Sequence, residues 1–266
     1  MFDNLMPLFP LVVPFLLVLF RLLGLFAFVP FFSNSAIPAN VKVLLGLAIT
    51  LCVWNVAPHV KESGAMVPET LIGLTLAVAG ELAIGLLIGL MVGALFGGIQ
   101  LGGHMVSQQM GLSMATLYDP AFEDQSTVIE QIAFWITLVA FLSLGGHRQL
   151  INAVVYSYQK IPIGSAAFGG GLSADVMLNT LIAAVDSSFH AAAQIAMPAL
   201  VAFFVATITV GLMSRSMPQL NLMTVGIAVH LIVGFFMVAA GLTAWAVVSE
   251  QNLREMMGQL GRLFGG

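Results

Sequence analysis

Gly85-Leu86-Leu87-Ile88-Gly89-Leu90-Met91-Val92-Gly93-Ala94-Leu95-Phe96-Gly97 lies inside an apolar run, Leu71 to Gly103, whose only charge is Glu81. Four residues turn an α-helix by about 400°, so Gly85, Gly89, Gly93 and Gly97 form one slightly drifting stripe where another backbone can come close. Gly98, Gly102 and Gly103 continue the small-residue character. The pattern calls for a helix in tight contact with a neighbour, either a helix of the same chain or one of a different subunit. As a helix the thirty-three-residue run would be roughly 50 Å long, against about 30 Å of bilayer hydrocarbon. It must tilt, break, or extend beyond the bilayer into protein.

The rest of the chain has the same character. Of 266 residues 59% are hydrophobic and 8% charged, with a mean hydropathy of +1.03. A soluble domain is about 45–50% apolar and about 25% charged, so this chain is membrane-embedded or membrane-assembled and a water-soluble enzyme is excluded. Twelve acidic and eight basic residues give a net charge of −4. No block of like charge faces a phosphate backbone, which excludes nucleic acid as a partner. The one cysteine, Cys52, falls in an apolar run and is expected to be a small buried apolar residue.

The N-terminus carries no Lys or Arg before its first apolar run, so no cleaved signal peptide is expected. Leu5 to Phe32 is apolar apart from Arg21 and is broken by Pro7, Pro10 and Pro14, which predicts a helix from near Pro14 to Pro30. Val43 to Ala57 and Ile132 to Gly146 are shorter apolar runs, Leu150 to Ile161 is mixed, and Ile163 to Asp175 reads as a Gly/Ser loop. Phe189 to Met213 and Leu222 to Val248 are of spanning length and read as a helical hairpin turning through Ser214 to Asn221. The tail, Ser249 to Gly266, spaces Leu253, Met256, Met257, Leu260 and Leu263 as a short amphipathic surface helix. The few Lys and Arg residues do not sort onto alternate sides of any simple zigzag, so the positive-inside rule gives no topology. The fold class is therefore all-α, with segments that do not all cross a bilayer in alternation.

Arg21 and Glu81 are charges within apolar runs, and each requires a partner because an unpaired charge in a hydrocarbon setting costs several kcal/mol. A structural pair is the expectation. A proton or ion pathway would need more titratable groups at depth than His190 and His230 supply. No metal-binding, nucleophile-turn, phosphate-loop or Cys-cluster pattern is present in the sequence, so no catalytic residue, metal or cofactor is expected. The most distinctive stretch is Ser107-Gln108-Gln109-Met110-Gly111-Leu112-Ser113-Met114-Ala115-Thr116-Leu117-Tyr118, followed by Asp119-Pro120, in the acidic but otherwise uncharged segment 104–131. It mixes uncharged polar groups with adaptable methionines and a glycine that frees the backbone. Such a segment is either an exposed connector or a loop facing a lumen.

Within this stretch Gln109-Met110-Gly111-Leu112 with Asp119-Pro120, together with Arg21, Gly24, Pro30-Phe31-Phe32-Ser33, Ile37-Pro38, Val41-Lys42 and Ser216-Met217-Pro218-Gln219-Leu220-Asn221, occur in an order and spacing that resembles the FliR family. That is a family of flagellar export-gate proteins, related to the T-type export proteins of injectisomes. The resemblance covers essentially the whole chain. It implies a fold of bent helical hairpins: a FliP-like portion over 1–186 that includes the 104–131 loop, a FliQ-like hairpin over 187–248, and the tail over 249–266. It implies a structural pore subunit that passes unfolded flagellar components out of the cytoplasm. The implied partners are FliP-type and FliQ-type subunits, FlhA- and FlhB-type components and membrane lipid, at the bacterial inner membrane in the flagellar basal body. It gives Ser107 to Tyr118 the part of a pore plug and places Pro218, Gln219 and Asn221 in the hairpin turn. A solute or ion transporter is the alternative class. An inverted repeat around a central polar site would favour it, and the two halves differ in run length and turn chemistry.

Overall fold

A computed structural model of the chain describes residues 9–30, 38–56, 70–112, 126–165, 173–216 and 222–264. Among these residues it is all helix, without a strand: α1 (Phe9–Phe28), α2 (Ala39–Val56), α3 (Leu71–Gln109), α4 (Val128–Ser143), α5 (Gly146–Lys160), α6 (Ala174–Ser216) and α7 (Leu222–Phe264). The helices α3, α6 and α7 are long and apolar enough to cross a membrane, and α4 with α5 qualifies only as one broken span. At 39, 43 and 43 residues the three long helices measure about 58–64 Å, roughly twice the hydrocarbon thickness.

Several boundaries depart from the sequence pattern. Helix α1 begins at Phe9, with Pro14 inside it, because one missing N–H so close to the helix start is outweighed by a continuous apolar face. Helix α3 runs six residues past Gly103, through residues expected in the polar segment. The tail is no separate surface helix: α7 continues to Phe264 and buries Leu253, Met256, Leu260 and Phe264. Cys52 is exposed on α2, since its apolar surroundings are themselves an outward face. Helix α4 opens on a capping box in which Thr127 accepts from the Glu130 N–H while Glu130 accepts from the Thr127 N–H.

The described chain packs as two compact units. One comprises Met1–Ala94, Gly145–Val185 and Glu255–Gly266; the other comprises Leu95–Leu144 and Asp186–Arg254. The first unit is centred on α1 against the N-terminal half of α3, with Leu17, Val18, Leu22, Ile84, Leu87, Ile88 and Met91 in its core. The ammonium of Lys160, at the end of α5, donates to the Leu263 carbonyl and helps hold the end of α7. In the second unit Phe96 of α3 packs edge-on against Phe141 and at a tilt against Phe134 of α4. There α6 and α7 run antiparallel, joined by bonds between Gln194 and Asn252 and between Thr207 and His230.

Candidate functional site

The glycine stripe divides by partner. A methyl group built on Gly85 would collide with the Arg21 carbonyl of α1, one on Gly89 would lie 2.5 Å from the Leu25 oxygen, and one on Gly93 2.7 Å from the Phe28 oxygen. From the other side, a methyl on Gly24 of α1 would lie 2.6 Å from the Leu82 oxygen. Only hydrogen at these positions lets the two backbones approach so closely. Each four-residue step rotates the stripe by about 40°. By Gly97 it has left the seam, and nothing lies within 4 Å of that position. In the second unit, Gly98 takes up the same role against the Ser188 carbonyl of α6, and Gly102 lies against Ala192 and Ile195.

The α1–α3 seam carries Arg21 and Glu81 to one fully buried point. The Arg21 Nε donates to Glu81 Oε2 at 2.6 Å, Nη1 to Ser157 Oγ at 2.8 Å and Nη2 to the Ile161 carbonyl at 3.3 Å. The second Glu81 oxygen accepts the Gly164 N–H at 2.9 Å. The Tyr158 ring lies over the guanidinium, 4.2 Å from Cζ to the ring centre, and its hydroxyl donates to the Val18 carbonyl. Planar, multi-donor geometry suits Arg to this role, and a lysine could not reproduce it. The cluster thus ties α1, α3, α5 and the turn 161–165 together. Among the described residues no buried side-chain nitrogen or oxygen is left without a partner. Ser157, Tyr158 and Gly164 were not singled out by the sequence, where no pattern marks them as partners of Arg21.

Helix α3 ends in a Schellman arrangement. Gly111, at φ +80°, lets the Leu112 N–H reach the Ser107 carbonyl and its own N–H reach the Gln108 carbonyl. Met110 is fully buried and seats on α7 where Gly234 leaves a notch: a methyl on Gly234 would lie 2.7 Å from the Met110 sulfur. Ser107 is buried as well, its hydroxyl bonded to the His104 carbonyl, whereas Gln108 and Gln109 are exposed. A polar clasp joins this helix end to the start of α4. Glu130 Oε1 accepts from His104 Nδ1 and from the Thr127 hydroxyl, both at 2.8 Å, and the Gln108 amide lies 2.8 Å from His104 Nε2. The neutral, Nδ1-protonated tautomer of His104 satisfies both contacts. The clasp is legible in part in the sequence, because Thr127-x-x-Glu130 is a capping-box pattern. Ser113, Met114, Ala115, Thr116, Leu117 and Tyr118, and the turn residues Pro218, Gln219 and Asn221, lie outside the described residues.

No group of three or more His, Cys, Asp or Glu among the described residues is placed to hold a metal ion. The arrangement does structural work: a buried ion pair, close helix seams and a pinned helix end. It defines an all-helical polytopic membrane protein assembled from long, small-residue-seamed helices. A sequence family described as bacterial export proteins, family 1, matches residues 12–256. The chain is 29% identical over 242 residues to the flagellar biosynthetic protein FliR of Escherichia coli K12, covering 91% of this chain and 89% of that protein. It is 28% identical over 247 residues to FliR of Bacillus subtilis 168, covering 92% and 91%. To FliR of Aquifex aeolicus VF5 it is 24% identical over 243 residues, covering 90% and 89%. The chain belongs to the FliR family of bacterial export proteins.

Proposed function

We propose that this chain is a structural pore subunit of the flagellar type III protein-export gate in the bacterial inner membrane, within the basal body. It assembles with FliP-type and FliQ-type subunits and meets FlhA- and FlhB-type components, and unfolded flagellar proteins pass through the assembly. In this reading residues 1–186 are the FliP-like portion, 187–248 the FliQ-like hairpin, and Ser107 to Tyr118 the plug. The chain itself carries out no chemistry.

One observation beyond family membership carries the proposal. Helices α6 and α7 are about twice as long as the hydrocarbon is thick, yet they leave large apolar side chains uncovered along their length. On α6 Ile182 is 65% exposed, Phe189 59% and Leu212 67%, and on α7 Phe236 is 72% exposed and Val247 52%. Of the most apolar stretch of α7 only 11% is buried, against 61% for α3. Lipid alone cannot cover apolar faces on helices that overrun it, and contiguous apolar surface outside lipid marks contact with other protein. Co-expression with FliP-type and FliQ-type subunits, followed by detergent extraction, tests the proposal. A single complex containing all three is expected, and a chain that stays alone in their presence overturns it.

A further inference from the structure

The hairpin of α6 and α7 holds a groove of about 230 Å³, all of it within the second unit. Each helix contributes the same spacing: Gln194, Ile195, Pro198 and Ala199 from α6, and Ala240, Gly241, Ala244 and Trp245 from α7. Residues at i, i+1, i+4 and i+5 share one side of a helix, so each helix turns one side toward the groove. Ile195, Ala199 and Trp245 are buried and form the floor, whereas Gln194, Pro198, Ala240 and Ala244 are exposed at the rim.

Two polar groups interrupt these apolar walls. Trp245 is only 6% exposed, and no described residue accepts its Nε1–H. Because no buried side-chain nitrogen among the described residues lacks a partner, this N–H is not sealed in; it opens onto the groove that its ring lines. On α6, Pro198 has no N–H to give the Gln194 carbonyl four residues earlier. The Gln194 side chain is held at the rim by Asn252 Nδ2, which donates to its Oε1 at 2.9 Å.

Whatever fills the groove must therefore meet an N–H and a carbonyl as well as apolar walls. An acyl chain meets neither polar group, and each one unmet in a hydrocarbon setting costs several kcal/mol. Water would meet both and leave the apolar walls unpacked. A side chain with an apolar body and a hydroxyl or amide tip meets all of them, and a cavity of about 150 Å³ already admits a benzene-sized ring. Ala240 and Ala244, small and one turn apart on the rim, let the helix that carries such a side chain come close.

We propose that this groove is a socket for one side chain, of the tyrosine or glutamine kind, carried on a helix of a neighbouring gate subunit. The tip of that side chain accepts from Trp245 Nε1–H and donates toward the Gln194 carbonyl, while its body covers Ile195 and Ala199. The socket rests on the export-gate reading and names the place on the α6–α7 hairpin where a partner is anchored.

The full chain is co-expressed with FliP-type and FliQ-type subunits as wild type, Ala244→Phe and Trp245→Phe, and the yield of the three-protein complex is compared after detergent extraction. Ala244→Phe puts a ring in the mouth of the groove and should lower the yield about tenfold or more, while the isolated chain unfolds at an unchanged temperature. Trp245→Phe keeps a ring but loses the donor, and should lower the yield about threefold to tenfold. A small aliphatic diazirine amino acid at Ala244, irradiated in the assembled complex, should cross-link to one helix of a co-expressed subunit, within a turn of a hydroxyl or amide side chain. That cross-link decides the matter if either substitution destabilises the isolated chain. Adducts to lipid alone, or none to a subunit, would overturn the socket, as would a wild-type yield from Ala244→Phe. A wild-type chain that enters no complex overturns the export-gate reading itself, and the socket falls with it.

Discussion

Replacing Gly89 by alanine adds one methyl group in the middle of the α1–α3 seam, between Gly85 and Gly93. That carbon would lie 2.5 Å from the Leu25 carbonyl oxygen and 3.2 Å from the Leu25 carbonyl carbon and Cα. Ordinary carbon contacts begin near about 3.5 Å, so the helices must part by roughly 1 Å. All three neighbours are main-chain atoms, so no side-chain rotation can relieve the clash. A gap of that size forfeits a quarter to a half of each dispersion contact along the seam. It also pulls Arg21, one turn earlier on α1, away from Glu81. Overpacking of this kind costs about 1–3 kcal/mol, offset by about 1 kcal/mol from the better helix propensity of alanine. Gly97→Ala is the internal control, because nothing lies within 4 Å of it and only the propensity gain applies. Thermal unfolding of the full chain in detergent, followed by loss of the monodisperse species, should show Gly89→Ala clearly destabilised and Gly97→Ala unchanged or more stable. Equal shifts for the two variants would refute the seam geometry.

Removing one partner of the buried pair, by Arg21→Met or Glu81→Met, should cost about 3–5 kcal/mol, while the double variant recovers part of that loss; strictly additive losses in the same unfolding assay would show the two groups to be independent. Thr127→Ala should cost about 0.5–2 kcal/mol through loss of the α4 cap and of one bond to Glu130, seen as faster amide exchange in the first turn of α4; unchanged exchange would show that the cap does not hold that turn. Met110→Ala should empty the notch at Gly234 and cost about 2–5 kcal/mol, whereas Met110→Leu should keep most of the stability; equal unfolding of the two would show that the seat is unimportant. Deleting Gly111 to Thr116 should leave the gate assembled but make the membrane leaky to small ions; an assembled and ion-tight deletion variant contradicts the plug role.

The apolar centres of the long helices were legible because nothing competes with a continuous apolar run, but α6 begins at Ala174, fifteen residues ahead of the run at Phe189, and α7 ends well beyond Val248. The Gly85–Gly93 spacing likewise announced a close seam, and the position of Arg21 and Glu81 in such runs announced the need for a pair. What the sequence hid was mostly long-range or marginal. Whether the stripe meets α1 or another subunit depends on a contact more than sixty residues away. The Ser157, Tyr158 and Gly164 partners of the pair come from segments with no distinguishing pattern. The end of α3 was misplaced because His104, Ser107, Gln108 and Gln109 are polar, and polarity alone does not stop a helix. The stop is Gly111, whose positive φ closes the Schellman turn. Pro14 misled in the opposite direction: a proline in the second turn removes a single bond, and the apolar face on either side of it still packs.

A photoreactive side chain at Gln109 or Leu112, at the base of the proposed plug, tests the central claim most directly when an exported flagellar protein is stalled in transit. Both positions are at least partly open, and Leu44 on α2, outside the proposed plug segment, serves as the control. Cross-links to the stalled, unfolded chain are expected from Gln109 and Leu112 and not from Leu44. No adduct from either plug-base position, in an assembled gate shown to hold the stalled chain, would contradict the placement of this protein in the wall of the pore.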